Sequence, residues 1–183
     1  MSGASAHDLL RFWFEEAAPG QWFRKDPAFD QQVRDRFGAL CERAVAGELQ
    51  EWASDPGSAL ALLLLLDQLP RQLWREQPGA FAGDGEALKL SLRALAMGWI
   101  EAEPQRGRRQ FWLMPLMHSE DLSIQEQGLG LFKRFCDAET TAFAVRHRDV
   151  IARFGRFPHR NKALGRSSSA EELAFLQQPG SRF

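Results

Sequence analysis

The sequence has little of what would define several protein classes by composition. It contains only two cysteines in 183 residues, Cys41 and Cys136, so no dense disulfide framework holds the fold together. Its longest apolar run extends from Ala59 to Leu66, far short of the roughly 20 residues that a membrane-spanning helix needs. No lysine or arginine precedes Arg11 and no apolar block follows it, so we expect no secretory signal. These absences predict a soluble protein in the reducing cytoplasm.

A surplus of charge is also missing. The 23 basic and 24 acidic residues give a net charge of -1, so no overall field attracts nucleic acid or anionic lipid, and we expect neither as a partner. Hydrophobic residues at 44% are typical of a globular protein, and the length suits one domain. We expect a single domain over residues 1–183, with residues 1–4 disordered and residues 167–169 forming a short linker.

Apolar residues recur at helical spacing along most of the chain, and no segment shows the alternation of a β-strand. This pattern predicts an all-α domain of about eight helices. The first helix is predicted from Ser5 to Ala18, with Ser5 and Asp8 as a capping box. A helix that is apolar almost all round, Ala59 to Leu66, should end just before Pro70.

Further helix boundaries are predicted from capping residues, prolines and glycines in the second half of the chain. We expect Asp84 as an N-cap, Pro104 and about Pro115 as the ends of one helix, Ser119 as an N-cap, Gly155 as a left-handed C-cap, and Ser168 with Glu171 as a capping box.

Two polar residues fall on apolar helix faces. His147 lies on one stripe with Phe143 and Val150, and Gln125 lies on one stripe with Leu129, so both should face inward. A neutral imidazole and a buried amide that are satisfied by hydrogen bonds would explain both residues structurally. A ligand-binding role is the alternative for each.

Asp67 ends the most hydrophobic helix, with Gln68 beside it and Arg71 four positions on. A buried carboxylate needs a partner, so Asp67 should cap the next turn or pair with Arg71 or Arg75, unless it serves a ligand.

The segment from His118 to Asp121 combines an imidazole, a hydroxyl and two carboxylates. Helix capping by Ser119, with Glu120 and Asp121 at the positive end of the helix dipole, is the structural explanation. General acid or base chemistry by His118 with a carboxylate orienter is the functional one.

Positive charge is concentrated between Arg153 and Arg166, where five basic residues occur without an acidic one. Guanidinium groups suit phosphate or carboxylate because they offer paired donors in a plane. A small-anion site and a solvated basic surface that answers acidic residues elsewhere are both consistent with this segment.

Several catalytic templates are absent: there is no Gly-rich phosphate loop, dinucleotide fingerprint, serine elbow or cysteine metal pair. His118, Asp121, His147 and His159 occur at no recognised metal-ligand spacing. We therefore expect no metal and no cofactor.

Three unusual strings carry a resemblance to a known family. They are LLLLLDQLPRQLWR (Leu62 to Arg75), MPLMHSEDLSIQEQ (Met114 to Gln127) and RFGRFPHRNKALGR (Arg153 to Arg166), accompanied by FWF at Phe12 to Phe14 and WFRKDPAFD at Trp22 to Asp30. Together they resemble the bacterial family known as domain of unknown function nine hundred and twenty-four, over nearly the whole chain. The resemblance implies an all-α fold with tetratricopeptide-like packing of helical hairpins. It implies no activity, because the family has no established reaction.

The resemblance places the polar residues of the three strings in one family pattern, from which Gln72 departs because the pattern has asparagine there. Our catalytic candidates are His118, Asp121 and His159. Our ligand-binding candidates are Asp67, Gln68, Arg71, Ser119, Glu120, Gln125, His147, Arg156, Arg160, Asn161 and Arg166.

Two functions fit these residues. One is binding of a small anionic molecule in a polar cleft, with or without acid/base catalysis by histidine. The other is a helical adaptor that binds a peptide or partner protein. For either function we predict that the three strings converge in one network.

Overall fold

Helices and short turns make up the ordered elements of residues 4–182, which the computed structural model describes. No β-strand occurs among these residues, so the prediction of a single all-α domain is confirmed. The α-helices are α1 (Ala6–Arg11), α2 (Pro27–Val45), α3 (Pro56–Asp67), α4 (Leu69–Leu73), α5 (Asp84–Ala96), α6 (Trp99–Ala102), α7 (Arg106–His118), α8 (Leu122–Phe135), α9 (Ala138–Phe154) and α10 (Ala170–Leu176). Within this part of the chain, no helix has the length and apolar character needed to cross a bilayer.

The first helix is shorter in the structure than the sequence predicts. The Ser5 capping box is confirmed, but the α-helical geometry ends at Arg11 and a π-helical turn follows over Phe12–Glu16. Phe12 stacks on Phe29 of α2 with ring centroids 5.5 Å apart. Packing of large rings against α2 therefore accompanies the change of helical geometry, which local spacing does not reveal. Residues 1–3, part of the stretch expected to be disordered, lie outside the described residues.

Helix α3 forms the centre of the fold. Every residue from Ala59 to Asp67 is buried, and α3 contacts α1, α2, α5 and α7. The helix ends at Asp67, before Pro70, as predicted. This termination places a carboxylate at the end of the most buried helix.

The predicted ends of α7 are wrong. The helix begins at Arg106, two residues after Pro104, and continues through Pro115 to His118. The side chains from Phe111 to Met117 are all buried, and their packing stabilises the helix beyond the proline. His118 is therefore the last residue of α7.

Two N-caps lie at other residues than predicted. Asp121 rather than Ser119 accepts the backbone N–H groups at the start of α8. The capping box of α10 is formed by Ser169 and Glu172 rather than by Ser168 and Glu171. The Glu172 carboxylate also binds Arg156, and this tertiary contact agrees with the one-residue shift.

Helix α9 confirms one prediction about its inward face and contradicts another. His147 is buried with 5% of its surface exposed, and Gly155 ends the helix with φ of 68°. Phe143 is 43% exposed, so the predicted stripe is wrong at its first member. The guanidinium of Arg146 covers the ring at 4.1 Å instead.

Candidate functional site

The carboxylate of Asp67 is fully buried at the end of α3. It accepts hydrogen bonds from His118 Nδ1 at 2.7 Å and from Gln68 Nε2 at 2.5 Å, and Arg71 Nη1 lies 3.6 Å from Oδ1. Burial alone would raise the pKa of Asp67. The attraction of His118 and Arg71, together with these hydrogen bonds, holds the pKa well below its usual range. Asp67 is therefore a carboxylate at neutral pH.

The imidazole of His118 is oriented by that carboxylate. Because a carboxylate only accepts, the proton in this bond belongs to Nδ1, and Nε2 is the unprotonated nitrogen. Burial lowers the pKa of His118 despite the attraction of Asp67. The side chain keeps 11% of its surface exposed, and no hydrogen bond from residues 4–182 engages Nε2. A neutral imidazole held in this way can accept a proton from a bound molecule.

Asp84 joins two guanidinium groups beside this pair. Arg71 donates to both of its oxygens, at 2.9 and 3.1 Å, and Arg160 Nη1 donates to Oδ2 at 3.0 Å. The predicted capping role of Asp84 is wrong, because Gly83 is the N-cap of α5 and Asp84 is its first residue. We call Asp67, Arg71, Asp84, His118 and Arg160 the polar cluster.

Gly83 sets the position of Asp84. A Cβ atom at this glycine would lie 2.2 Å from the carbonyl oxygen of Leu66, a distance that no side chain tolerates. The start of α5 therefore rests directly on the backbone of α3, one residue before Asp67. Local sequence carried no signal for this contact.

Arg160 is the most confined cation of the polar cluster. Its guanidinium contacts the rings of Phe81 and Phe157, with the central carbon 4.7 and 4.6 Å from their centroids. Nη2 donates to the carbonyl of His118 at 3.0 Å, and buried Nε has no acceptor within the described residues. Burial lowers the pKa of Arg160 to about 10, so the group stays charged at neutral pH.

Two further histidines extend the polar cluster. The rings of His147 and His118 are 6.1 Å apart, and both His147 and His159 contact Phe157 at 5.6 Å. His147 Nδ1 donates to the carbonyl of Phe143 at 2.8 Å, a backbone partner rather than a carboxylate. Burial lowers the pKa of His147 well below its usual value, and burial with the charge of Arg160 lowers that of His159 to about 3. All three imidazoles are neutral at pH 7.

A second network joins the strings that contain Glu120 and Arg166. Arg166 binds both oxygens of Glu120, at 2.7 and 2.9 Å, and donates to Asn161 Oδ1 at 2.9 Å. The backbone N–H of Phe157 also donates to Glu120, at 2.7 Å. Phe157 thus connects this network to the polar cluster, and the predicted convergence of the three strings is seen in the structure.

Four of the candidates that lie outside the polar cluster, Asp121, Ser119, Gln125 and Arg156, have structural hydrogen-bond partners of their own. Asp121 is an exposed cap, and Ser119 Oγ accepts its backbone N–H at 3.2 Å. Gln125 is buried as predicted and donates to two backbone carbonyls near the end of α7. Arg156 binds both oxygens of Glu172 at 2.7 and 2.8 Å. Their hydrogen bonds account for these residues structurally.

The acidic partners of the basic segment come from other parts of the chain. The pairs are Arg153 with Glu171, Arg156 with Glu172, Arg160 with Asp84, and Arg166 with Glu120. Four of the five basic residues of this segment are thus paired with carboxylates in three dimensions. Within residues 4–182, no group of three or more His, Cys, Asp or Glu side chains could hold a metal ion.

Comparisons with known proteins agree with the resemblance carried by the three strings. The model of a family described as bacterial protein of unknown function (DUF924) matches residues 9–180. Among solved structures, a protein of unknown function from Agrobacterium tumefaciens is similar, with 37% sequence identity and a TM-score of 0.87 over 94% of this chain and 96% of that chain. No curated protein matches the sequence.

Proposed function

Because the chain belongs to the bacterial family of unknown function DUF924, we propose a function from its geometry: binding of a small molecule with a carboxylate or phosphate group at the polar cluster, followed by proton transfer through His118. The observation that carries this proposal is the 2.7 Å hydrogen bond between fully buried Asp67 and His118 Nδ1. It orients an imidazole whose Nε2 has no partner among the described residues. Carboxylate–imidazole pairs of this kind serve as general bases in other enzymes.

The guanidinium groups provide the affinity for an anion. Arg71 and Arg160 lie on either side of one carboxylate, and the aromatic rings around Arg160 restrict its motion. Paired planar donors match the oxygens of a carboxylate or phosphate. An ordered site of this kind loses little conformational entropy on binding.

The adaptor function explains less of the structure. A peptide-binding helical protein would need neither the buried Asp67 nor the oriented His118. That alternative, the tetratricopeptide-like packing and the cytoplasmic location remain proposals that rest on the resemblance and the composition.

A ligand screen tests the proposed function. A panel of carboxylated and phosphorylated metabolites should contain compounds that raise the melting temperature with the logarithm of their concentration. Arg160→Ala should abolish that shift, whereas Arg75→Ala, which opens an ion pair with Asp30 outside the polar cluster, should preserve it. His118→Asn should retain binding and lose conversion of the ligand. Equal stabilisation of wild type and Arg160→Ala by every compound would contradict the proposal.

A further inference from the structure

The carboxylate of Asp84 already makes the contacts that an anionic ligand of the polar cluster would make. It receives three hydrogen bonds from two guanidinium groups, two from Arg71 and one from Arg160, at 2.9 to 3.1 Å. Within residues 4–182, no other carboxylate accepts hydrogen bonds from both arginines. Asp84 thus occupies the position between them.

The charge of the polar cluster leaves no place for an additional anion. Two carboxylates, Asp67 and Asp84, balance two guanidinium groups, and His118 is neutral because burial lowers its pKa. A third negative charge in this partly buried region would be repelled by both carboxylates at low effective dielectric. With His118 neutral, charge balance is kept if one carboxylate moves into solvent when the anion binds.

Asp84 is the carboxylate that can move. Its side chain is 20% exposed, whereas that of Asp67 is fully buried and hydrogen bonded to His118. The close contact of Gly83 with Leu66 holds the backbone, so rotation of the Asp84 side chain is sufficient. The guanidinium groups then remain in place for the incoming group.

A planar group fits this position better than a tetrahedral one. The rings of Phe81 and Phe157 restrict the motion of the Arg160 guanidinium, and Arg71 presents two donors to the same carboxylate. A carboxylate reproduces the three hydrogen bonds of Asp84 and its single charge. A phosphate group would bring a further oxygen and added charge close to Asp67.

We propose that Arg71 and Arg160 form a carboxylate-binding site which Asp84 occupies in the free protein, and that the ligand presents a carboxylate group that displaces Asp84. That Asp84 fills the carboxylate site in the free protein does not depend on any catalytic activity. That a natural ligand displaces Asp84 from the site rests on the proposed function.

Removal of Asp84 should open the site to a small carboxylate. In Asp84→Ala, sodium formate should raise the melting temperature by about 2 to 4 °C or more over sodium chloride at equal ionic strength. Wild type should show no such difference, because its own carboxylate fills the site. Asp30→Ala, which exposes the single guanidinium of Arg75, is the matched control and should not respond. If Asp84→Ala is unfolded in chloride, recovery of its helical circular dichroism signal in formate is the same test.

Each result supports or overturns the proposal. A formate effect in Asp84→Ala that is lost in Asp84→Ala/Arg160→Ala supports it. Equal effects of formate on Asp84→Ala and Asp30→Ala would overturn it, and stronger stabilisation by inorganic phosphate than by formate would overturn the choice of a carboxylate.

The proposed function can fail separately. If formate binds Asp84→Ala but no metabolite stabilises wild type, the carboxylate site is supported and the proposed function is contradicted. A metabolite that binds wild type and Asp84→Ala equally would reject the displacement of Asp84 alone.

Discussion

Ion pairs occur in two regions of this protein with similar side chains and different surroundings. In the polar cluster, the side chains of Asp67 and Arg160 are 0% and 7% exposed. In the contact between α9 and α10, the side chains of Arg153 and Glu171 are 49% and 64% exposed. An exposed pair gains little because water solvates both charges as well as the partner does, whereas a buried charge that loses its partner has no substitute.

The two regions also differ in how far apart their partners lie in the sequence. Asp67 and His118 are 51 positions apart, and Asp84 and Arg160 are 76 positions apart. Arg153 and Glu171 are separated by 18 positions. The polar cluster therefore requires the assembled fold, while the outer pair requires only the packing of two neighbouring helices.

The largest expected effect comes from removing the charge at the centre of the polar cluster. Asp67→Asn should lower the free energy of unfolding by about 3 to 5 kcal/mol, because it removes a fully buried carboxylate and leaves Arg71 and Arg160 to share the single carboxylate of Asp84. Asp30→Asn, which removes the charge opposite the more exposed Arg75, should cost about 1 kcal/mol or less. Urea unfolding of both variants measures the difference. Equal losses would show that burial does not distinguish these pairs.

Lowering the pH should affect the buried histidines beside the polar cluster before it affects the ion pairs of α10. The folded-state pKa values of His147 and His159 are lowered, so the unfolded chain takes up protons first and stability falls as pH drops below about 6.5. For two histidines the loss between pH 7.5 and 5.5 should be about 3 kcal/mol in total, and it continues until each folded-state pKa is reached.

The ion pairs of α10 should respond only in stronger acid. The hydrogen bond from Arg156 lowers the pKa of Glu172 from 4.5 to about 2, so its contribution is lost as pH falls from about 4.5 towards 2. Urea unfolding at several pH values, with NMR titration of the histidines, separates the two ranges. Constant stability from pH 7.5 to 5.5 would contradict the neutral, buried state of His147 and His159.

The smallest expected effect comes from the exposed ion pair between Arg153 and Glu171. Glu171→Gln removes the partner of Arg153 and should change the free energy of unfolding by no more than about 0.5 kcal/mol, since water replaces the lost contact. Thermal unfolding at low and high salt provides the measurement. A loss similar to that of Asp67→Asn would mean that the outer region contributes more to the fold than its exposure indicates.

Particular residues show where sequence reasoning succeeded and where it failed. Asp67 could be recognised because a carboxylate on an apolar helix is unusual, and Pro70 marked the end of that helix correctly. The local pattern around Asp84 is that of an ordinary helix N-terminus, so it predicts only a helix cap. Its role in the polar cluster depends on the contact between Gly83 and Leu66, which joins two helices and has no counterpart in local spacing.

The sequence by itself determined the all-α class, the buried central helix, the inward position of His147 and the family. Helical periodicity encodes these features because each helix must bury its own apolar face. Only the tertiary structure decided that His118 meets Asp67 and that Asp84 lies between Arg71 and Arg160. Hydrogen bonds between distant residues require atoms placed within about 3 Å, and helix packing supplies that placement after the chain has folded.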